Sequence, residues 1–213
     1  MRSEDFAPDA VRRTAFFTGH RLLNTAEKQL IEMRVRQCIS SAYDAGYRRF
    51  FCGCALGFDT LAAFQTISLR ENHPDMILSL AIPCPSQPER WKDDDQSNYN
   101  RILDLADEKL ILSPAYYNGV MLARNRYMAD RSSLCICYMK YLHGGTASAV
   151  RYALVHGGID IINLAVSNDY RTDQMRELSW NCMFISPSAG KNAVTVPLHL
   201  SRSRKLIMKN TRI

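Results

Sequence analysis

The 213 residues carry 27 Lys and Arg against 21 Asp and Glu, a formal net charge of +6. That length suits one domain with a substantial core, or one domain and a tail, and no apolar run reaches the roughly 20 residues that span a bilayer. Residues 169–213 hold 8 basic against 3 acidic side chains, leaving 19 against 18 in residues 1–168, so the excess charge lies in the tail and argues against a basic nucleic-acid-binding fold.

The polar, acidic start Met1-Arg2-Ser3-Glu4-Asp5-Phe6 is unlike a secretory signal, and a cytoplasmic protein is expected. Cys52 and Cys54 bracket a glycine, Cys135 and Cys137 lie in an apolar run, and Cys38 lies in a helical stretch. These read as small apolar thiols of a reducing compartment, not as a zinc set, so no metal and no cofactor are expected.

Residues 1–13 read as an N-terminal arm. Thr14 to Thr18 is a first buried strand, followed by Gly19-His20-Arg21. Thr25 is placed to cap a helix with Leu30, Ile31, Val35, Cys38, Ile39 and Ala42 on its apolar face, ended by Gly46. Arg49 to Cys52 is a second strand, running into Gly53-Cys54-Ala55-Leu56-Gly57-Phe58-Asp59 and a helix from Thr60 to Arg70. Met76 to Pro83 is a third strand. A loop with Glu89, Trp91 and Asp93-Asp94-Asp95 follows, then a short helix from Asn98 to Ala106 and a fourth strand from Lys109 to Ser113. Asn118-Gly119 opens a helix, Asn118 as its cap, with Met121, Leu122, Met128 and Ala129 on its core face. The fifth strand is Leu134 to Met139. Gly144-Gly145-Thr146 opens an Ala-rich helix ended by Gly157-Gly158, and Asp160 to Leu164 is the sixth strand.

Short apolar strands alternating with amphipathic helices define an α/β protein: a Rossmann-like parallel sheet with helices on both faces, in a single domain over residues 14–166. Residues 167–213 form a basic C-terminal extension. Within it, Ala193 to Leu200 reads as an edge strand limited by Pro197.

Three glycine turns follow strands and must share the carboxyl edge of the sheet, where such folds bind ligands. The helix after Tyr116-Tyr117 reaches the same edge. No strand is followed by G-x-G-x-x-G and no P-loop is present, which disfavours a dinucleotide dehydrogenase or a Walker-type NTPase. Arg124 is either a solvated charge or, since helical side chains lean toward the N-terminus, a guanidinium aimed into the crevice. Arg126 and Arg131 read as solvated. His20 and Arg21 are either a solvated turn or a cationic pair reading a phosphate or base. Asp59 complements a helix dipole or accepts from a ribose hydroxyl. Thr146 caps a tight turn, or Gly144-Gly145-Thr146 offers N–H groups to an anion. Tyr116 and Tyr117 stack on a base or cover the sheet edge, and Trp91 is a packed ring.

These residues, Phe17-Thr18-Gly19-His20-Arg21, Gly53 to Asp59 with Ala62-Ala63, Pro83, Trp91, Tyr99, Arg124-Asn125 with Met128, Asp130 and Ser132, and Gly144-Gly145-Thr146, give the resemblance. Over residues 14–165 the chain resembles the YpsA-like family of the Rossmann-like SLOG superfamily, alongside the Lonely-guy phosphoribohydrolases and the DNA-processing protein A family. The resemblance implies a nucleotide-derived small molecule held between the Gly53–Asp59 and Gly144–Thr146 turns, in contact with Gly19, His20, Arg21, Gly57, Arg124 and Asn125, and it favours a homodimer. The phosphoribohydrolases pair the arginine that Arg124 matches with a glutamate whose position is Ala149, so hydrolysis of an N-glycosidic bond would need another carboxylate, Asp59 or Asp130. The expected function is therefore nucleotide binding by a sensor or regulatory protein. An N-glycosidic hydrolase is the alternative. DNA or RNA binding is the second alternative, and the basic tail is where weak nucleic-acid contact is expected.

Overall fold

The structure, a computed structural model, describes residues 11, 13–157, 159–165, 181–185 and 194–197. Eight strands form one sheet in the order β4-β3-β2-β1-β5-β6-β7-β8. They are β1 (Thr14–Gly19), β2 (Arg49–Cys52), β3 (Ile77–Ile82), β4 (Glu108–Ile111), β5 (Leu134–Tyr138), β6 (Asp160–Asn163), β7 (Asn181–Ile185) and β8 (Val194–Pro197). The first six pair in parallel. β7 and β8 continue the sheet antiparallel, and β8 ends at Pro197, which cannot donate to a further ladder.

Five helices connect the parallel strands: α1 (Lys28–Asp44), α2 (Phe58–Arg70), α3 (Asp93–Leu105), α4 (Val120–Ala129) and α5 (Gly144–Tyr152). Alternate strand residues face opposite layers, and both layers are apolar. On one face Phe17, Phe50, Leu78, Leu80, Ile136 and Tyr138 pack against α1, α2 and α3. On the other, Phe16, Phe51, Ala81, Cys135 and Cys137 pack against Met128 and Ala129 of α4 and Val150 of α5. The six described cysteines are free and buried, and burial raises Cys135 well above the ordinary thiol range. No helix among the described residues is long and apolar enough to cross a membrane.

The α/β Rossmann-like class is as expected; several helix starts are not. Asn24, not Thr25, caps the first helical turn, its Oδ1 accepting from Ala26 N at 3.0 Å. Asp93, Asp94 and Asp95 form the first turn of α3, not a loop, with three carboxylates at the positive end of its dipole. Gly119 at φ 99° occupies the cap of α4 in place of Asn118. His143 caps α5, and Thr146 lies inside its first turn. The core face of α4 also differs: Val120, Arg124, Asn125 and Met128 are buried, whereas Met121 and Leu122 are half-buried.

Candidate functional site

The strand order reverses between β1 and β5. From β1 the chain crosses toward β2, while from β5 it crosses toward β6 on the other side. The helices that follow these strands diverge and leave a crevice at the carboxyl edge. A cavity of about 230 Å³ lies there. Its walls are Thr18 and Gly19 at the end of β1 with His20 and Arg21 after it, Ala55 and Asp59 after β2, Met121, Arg124 and Asn125 of α4, and Gly145 and Thr146 of α5.

Arg124 is only 6% exposed. Its Nη1 donates to the Gly53 carbonyl, and its Nε donates to Asn125 Oδ1 at 2.8 Å. Among the described residues Nη2 has no hydrogen-bond partner. The Gly53 carbonyl also accepts from Gln87 Nε2 at 3.1 Å, and Gln87 bonds the Cys54 carbonyl at 2.8 Å. A Cβ on Gly53 would overlap the Arg124 guanidinium, so glycine is needed there for close approach. Gly57, at φ 77°, lies against the Arg21 and His20 carbonyls, and Phe58 N donates to His20 O at 3.1 Å. These two glycines shape the cavity from behind and do not line it.

Gly53→Ala is therefore expected to expel the guanidinium and to cost about 1–3 kcal/mol of stability. Gly145→Ala, whose Cβ meets nothing, should stay within about 0.5 kcal/mol of the natural chain. Denaturant unfolding of both variants checks this pair of outcomes.

Asp59 is 3% exposed and, among the described residues, is the one carboxylate lining the cavity. Its Oδ2 accepts from Ala55 N at 3.4 Å. Burial raises its pKa to about 6, against the opposing attraction of Arg124, the Ala55 amide and Arg21. Asp130 is placed elsewhere: it is exposed and accepts from Tyr152 Oη at 2.8 Å. Ala149 is buried and supplies no carboxylate.

His20 and Arg21 do not form a cationic pair. The Nε2 of His20 accepts from Lys140 N at 2.8 Å, an acceptor role only the neutral ring can fill. Burial first, then Lys140 and His143, lower its pKa. Arg21 is exposed and remains the cation at the rim. Glu27 ties this wall down, accepting from Tyr138 Oη at 2.8 Å and Lys140 Nζ at 2.6 Å. The hydrogen bond from Lys140 holds the Glu27 carboxyl below its usual pKa.

At the opposite wall, the N–H groups of Gly144, Gly145 and Thr146 in the first turn of α5 lack partners within the helix. Gly144 itself does not line the cavity but takes φ 86°, a conformation that favours glycine. Tyr116 and Tyr117 are exposed and outside the lining, and Trp91 packs edge-on against Tyr99 at 5.4 Å. Gln87, Glu27 and Lys140 were not foreseen. They act through contacts far away in sequence, for which no local pattern exists.

The six parallel strands of the open sheet, with a cavity at their reversal point, define a Rossmann-like α/β protein. The YpsA family model, described as the YspA SLOG family, matches residues 19–156, and the chain belongs to this family. In sequence it is similar to the SPbeta prophage-derived protein YoqJ of Bacillus subtilis (strain 168): 29% identical over 117 residues, covering 49% of this chain and 68% of that one. In structure it is similar to DNA processing protein A of Streptococcus pneumoniae, with a TM-score of 0.54 and 16% identity, covering 75% of this chain and 52% of that one. The same protein from Helicobacter pylori gives 0.50 and 19%, covering 79% and 72%. Likeness at these identities is of fold, and the match spans about half of the S. pneumoniae chain.

Proposed function

We propose that the cavity binds the phosphate-bearing part of a nucleotide or nucleotide-derived molecule, and that the protein works as a sensor or regulatory binding module. The observation that carries this reading is Arg124, a largely buried cation lining the cavity whose Nη2 has no hydrogen-bond partner among the described residues. Arg124 lines the cavity and no atom of it is a buried unpaired one, so its remaining donor is open to an arriving anion and can make a charge-assisted hydrogen bond. The first-turn amides of α5 and the rim cation Arg21 favour the same ligand charge. A volume of about 230 Å³ is below the roughly 300–1,000 Å³ typical of whole-ligand pockets, so it suits a phosphate and sugar with the rest of the ligand outside.

Calorimetric titration with adenosine 5′-monophosphate and with adenosine tests the reading. The phosphorylated ligand should bind at least ~10-fold tighter, the contribution of one charge-assisted contact. Equal affinity for the two would remove the anion role.

A second reading, an N-glycosidic hydrolase, is favoured by one observation: a carboxyl with a pKa of about 6 lies in the cavity, near the range suited to general acid or base work. Release of free base from a nucleotide, abolished by Asp59→Asn, would establish it. Nucleic acid is the remaining ligand class. The H. pylori neighbour is described as binding single-stranded DNA. If this chain retains an oligonucleotide, retention should fall steeply with salt and should depend on the basic residues of 169–213, while nucleotide binding survives their neutralisation. Because β7 and β8 belong to the sheet, a filter-binding salt series on the natural full chain and on a full-length variant with Arg202, Arg204, Lys205, Lys209 and Arg212 changed to Gln separates these cases. The homodimer favoured by the family resemblance belongs to the same proposal, and light scattering should then give twice the mass of the 213-residue chain.

A further inference from the structure

The segment joining β5 to α5 exposes three large side chains in succession. Tyr141 is 57% exposed, Leu142 is 80% exposed, and His143 is also exposed. Exposed rings usually move freely, yet these are arrayed. The Tyr141 and His143 rings stack with centroids 5.7 Å apart and planes 20° from parallel. Tyr141 also lies 5.1 Å from the His20 ring, which meets Tyr138 edge-on at 6.0 Å. His20 lines the cavity, so a continuous series of rings runs from the cavity wall to the surface.

The backbone beneath this series is pinned at both sides. Lys140 N donates to His20 Nε2, and Lys140 Nζ pairs with Glu27 Oε2. Asn163 brackets Met139, its Oδ1 accepting from Met139 N at 3.0 Å and its Nδ2 donating to Met139 O at 2.9 Å. A solvent-facing ring stack on a hydrogen-bonded backbone is a stacking platform in outline, because every nucleobase presents a π-face. Its position is what selects the occupant. His143 directly precedes Gly144-Gly145-Thr146, and Gly145 and Thr146 line the cavity. A ligand with its phosphate on the first turn of α5 and its sugar in the cavity would project its base toward these rings.

We propose that Tyr141, supported by His143 and His20, is the base-stacking residue of the site. This inference rests on the nucleotide reading above and names the subsite that receives the base.

The test compares adenosine 5′-monophosphate with ribose 5-phosphate by calorimetry, on the natural chain, Tyr141→Ala and Tyr141→Phe, with circular dichroism to confirm that each is folded. Tyr141→Ala should weaken adenosine 5′-monophosphate binding roughly 5- to 100-fold and leave ribose 5-phosphate affinity unchanged. Tyr141→Phe, which keeps the ring, should restore the lost affinity. Unchanged adenosine 5′-monophosphate affinity in Tyr141→Ala would overturn the platform and leave the phosphate reading standing. Equal weakening of both ligands would also overturn it, showing that Tyr141 acts through the His20 wall. Failure of the natural chain to bind either compound would overturn the nucleotide reading and the platform together.

Discussion

Arg124→Ala is expected to weaken nucleotide binding roughly 10- to 150-fold without unfolding the protein. The lower figure corresponds to one charge-assisted hydrogen bond and the upper to the strongest such contacts. Loss of the side chain does not orphan the Gly53 carbonyl, because Gln87 Nε2 still donates to it. Asn125 Oδ1 loses its Nε partner, a cost of about 1–3 kcal/mol if water does not replace it. Arg124→Lys separates charge from geometry. An ammonium keeps the positive charge but lacks the planar guanidinium that bonds Gly53 and Asn125 together. It should recover only part of the affinity. Calorimetry of the three forms measures both effects, and equal affinity in all three would remove Arg124 from the site.

The second large effect is on pH dependence. Asp59 has a folded pKa of about 6 against an ordinary value of 3.8, with burial as the dominant cause. Between these values the folded protein holds a proton that the unfolded chain releases. This contribution is fully present below about pH 4 and is lost as pH rises through about 6. A shift of about two units corresponds to roughly 3 kcal/mol, an upper bound because any relaxation of the buried pair reduces it. Asp59→Asn keeps an oxygen to accept from Ala55 N and removes the ionisation. Arg124 then loses an attractive charge. The raised pKa nevertheless shows that desolvation outweighs that attraction, so the substitution should stabilise at pH 7.5 and be near neutral at pH 4. The lowered pKa of His20 acts in the opposite direction, favouring the folded state above its ordinary value and losing that contribution on acidification. The difference between natural and Asp59→Asn unfolding curves across pH isolates the carboxyl. Equal stability of the two at every pH would contradict the assigned burial.

Much of this architecture was legible because a parallel sheet writes itself as short apolar runs. Phe16, Phe17, Phe50 and Phe51 fill both faces of neighbouring strands, and Ile136 and Cys137 do the same in β5. The convergence of the turns after β1, β2 and β5 followed from chain direction alone. Helix starts were harder to read. Asp93 to Asp95 carry no apolar periodicity, since α3 buries only Tyr99 and Ile102, so its first turn resembled a loop. In α4 the apolar pattern pointed to Met121 and Leu122, but the sheet buries Arg124 and Asn125, because a cavity and the Gly53 carbonyl lie where core would otherwise be. Gly53 was visible as a turn glycine, although its steric reason, a guanidinium arriving from 71 residues away, was not. The neutral state of His20 depends on Lys140 N, 120 residues distant, and left no local trace.

A thermal-shift panel of mononucleotides, dinucleotides, cyclic nucleotides, ribose 5-phosphate and ADP-ribose derivatives, with mass spectrometry of each ligand afterwards, tests the anion-binding cavity most directly. A ligand at 100 times its dissociation constant adds about 2.7 kcal/mol, several degrees for a chain of this length. The account predicts such a shift with phosphorylated ligands, absent from their nucleosides, lost in Arg124→Ala, and with the ligand recovered intact. Recovery of free base would make the protein a hydrolase with Asp59 as its carboxylate. No shift with any phosphorylated compound would contradict the account.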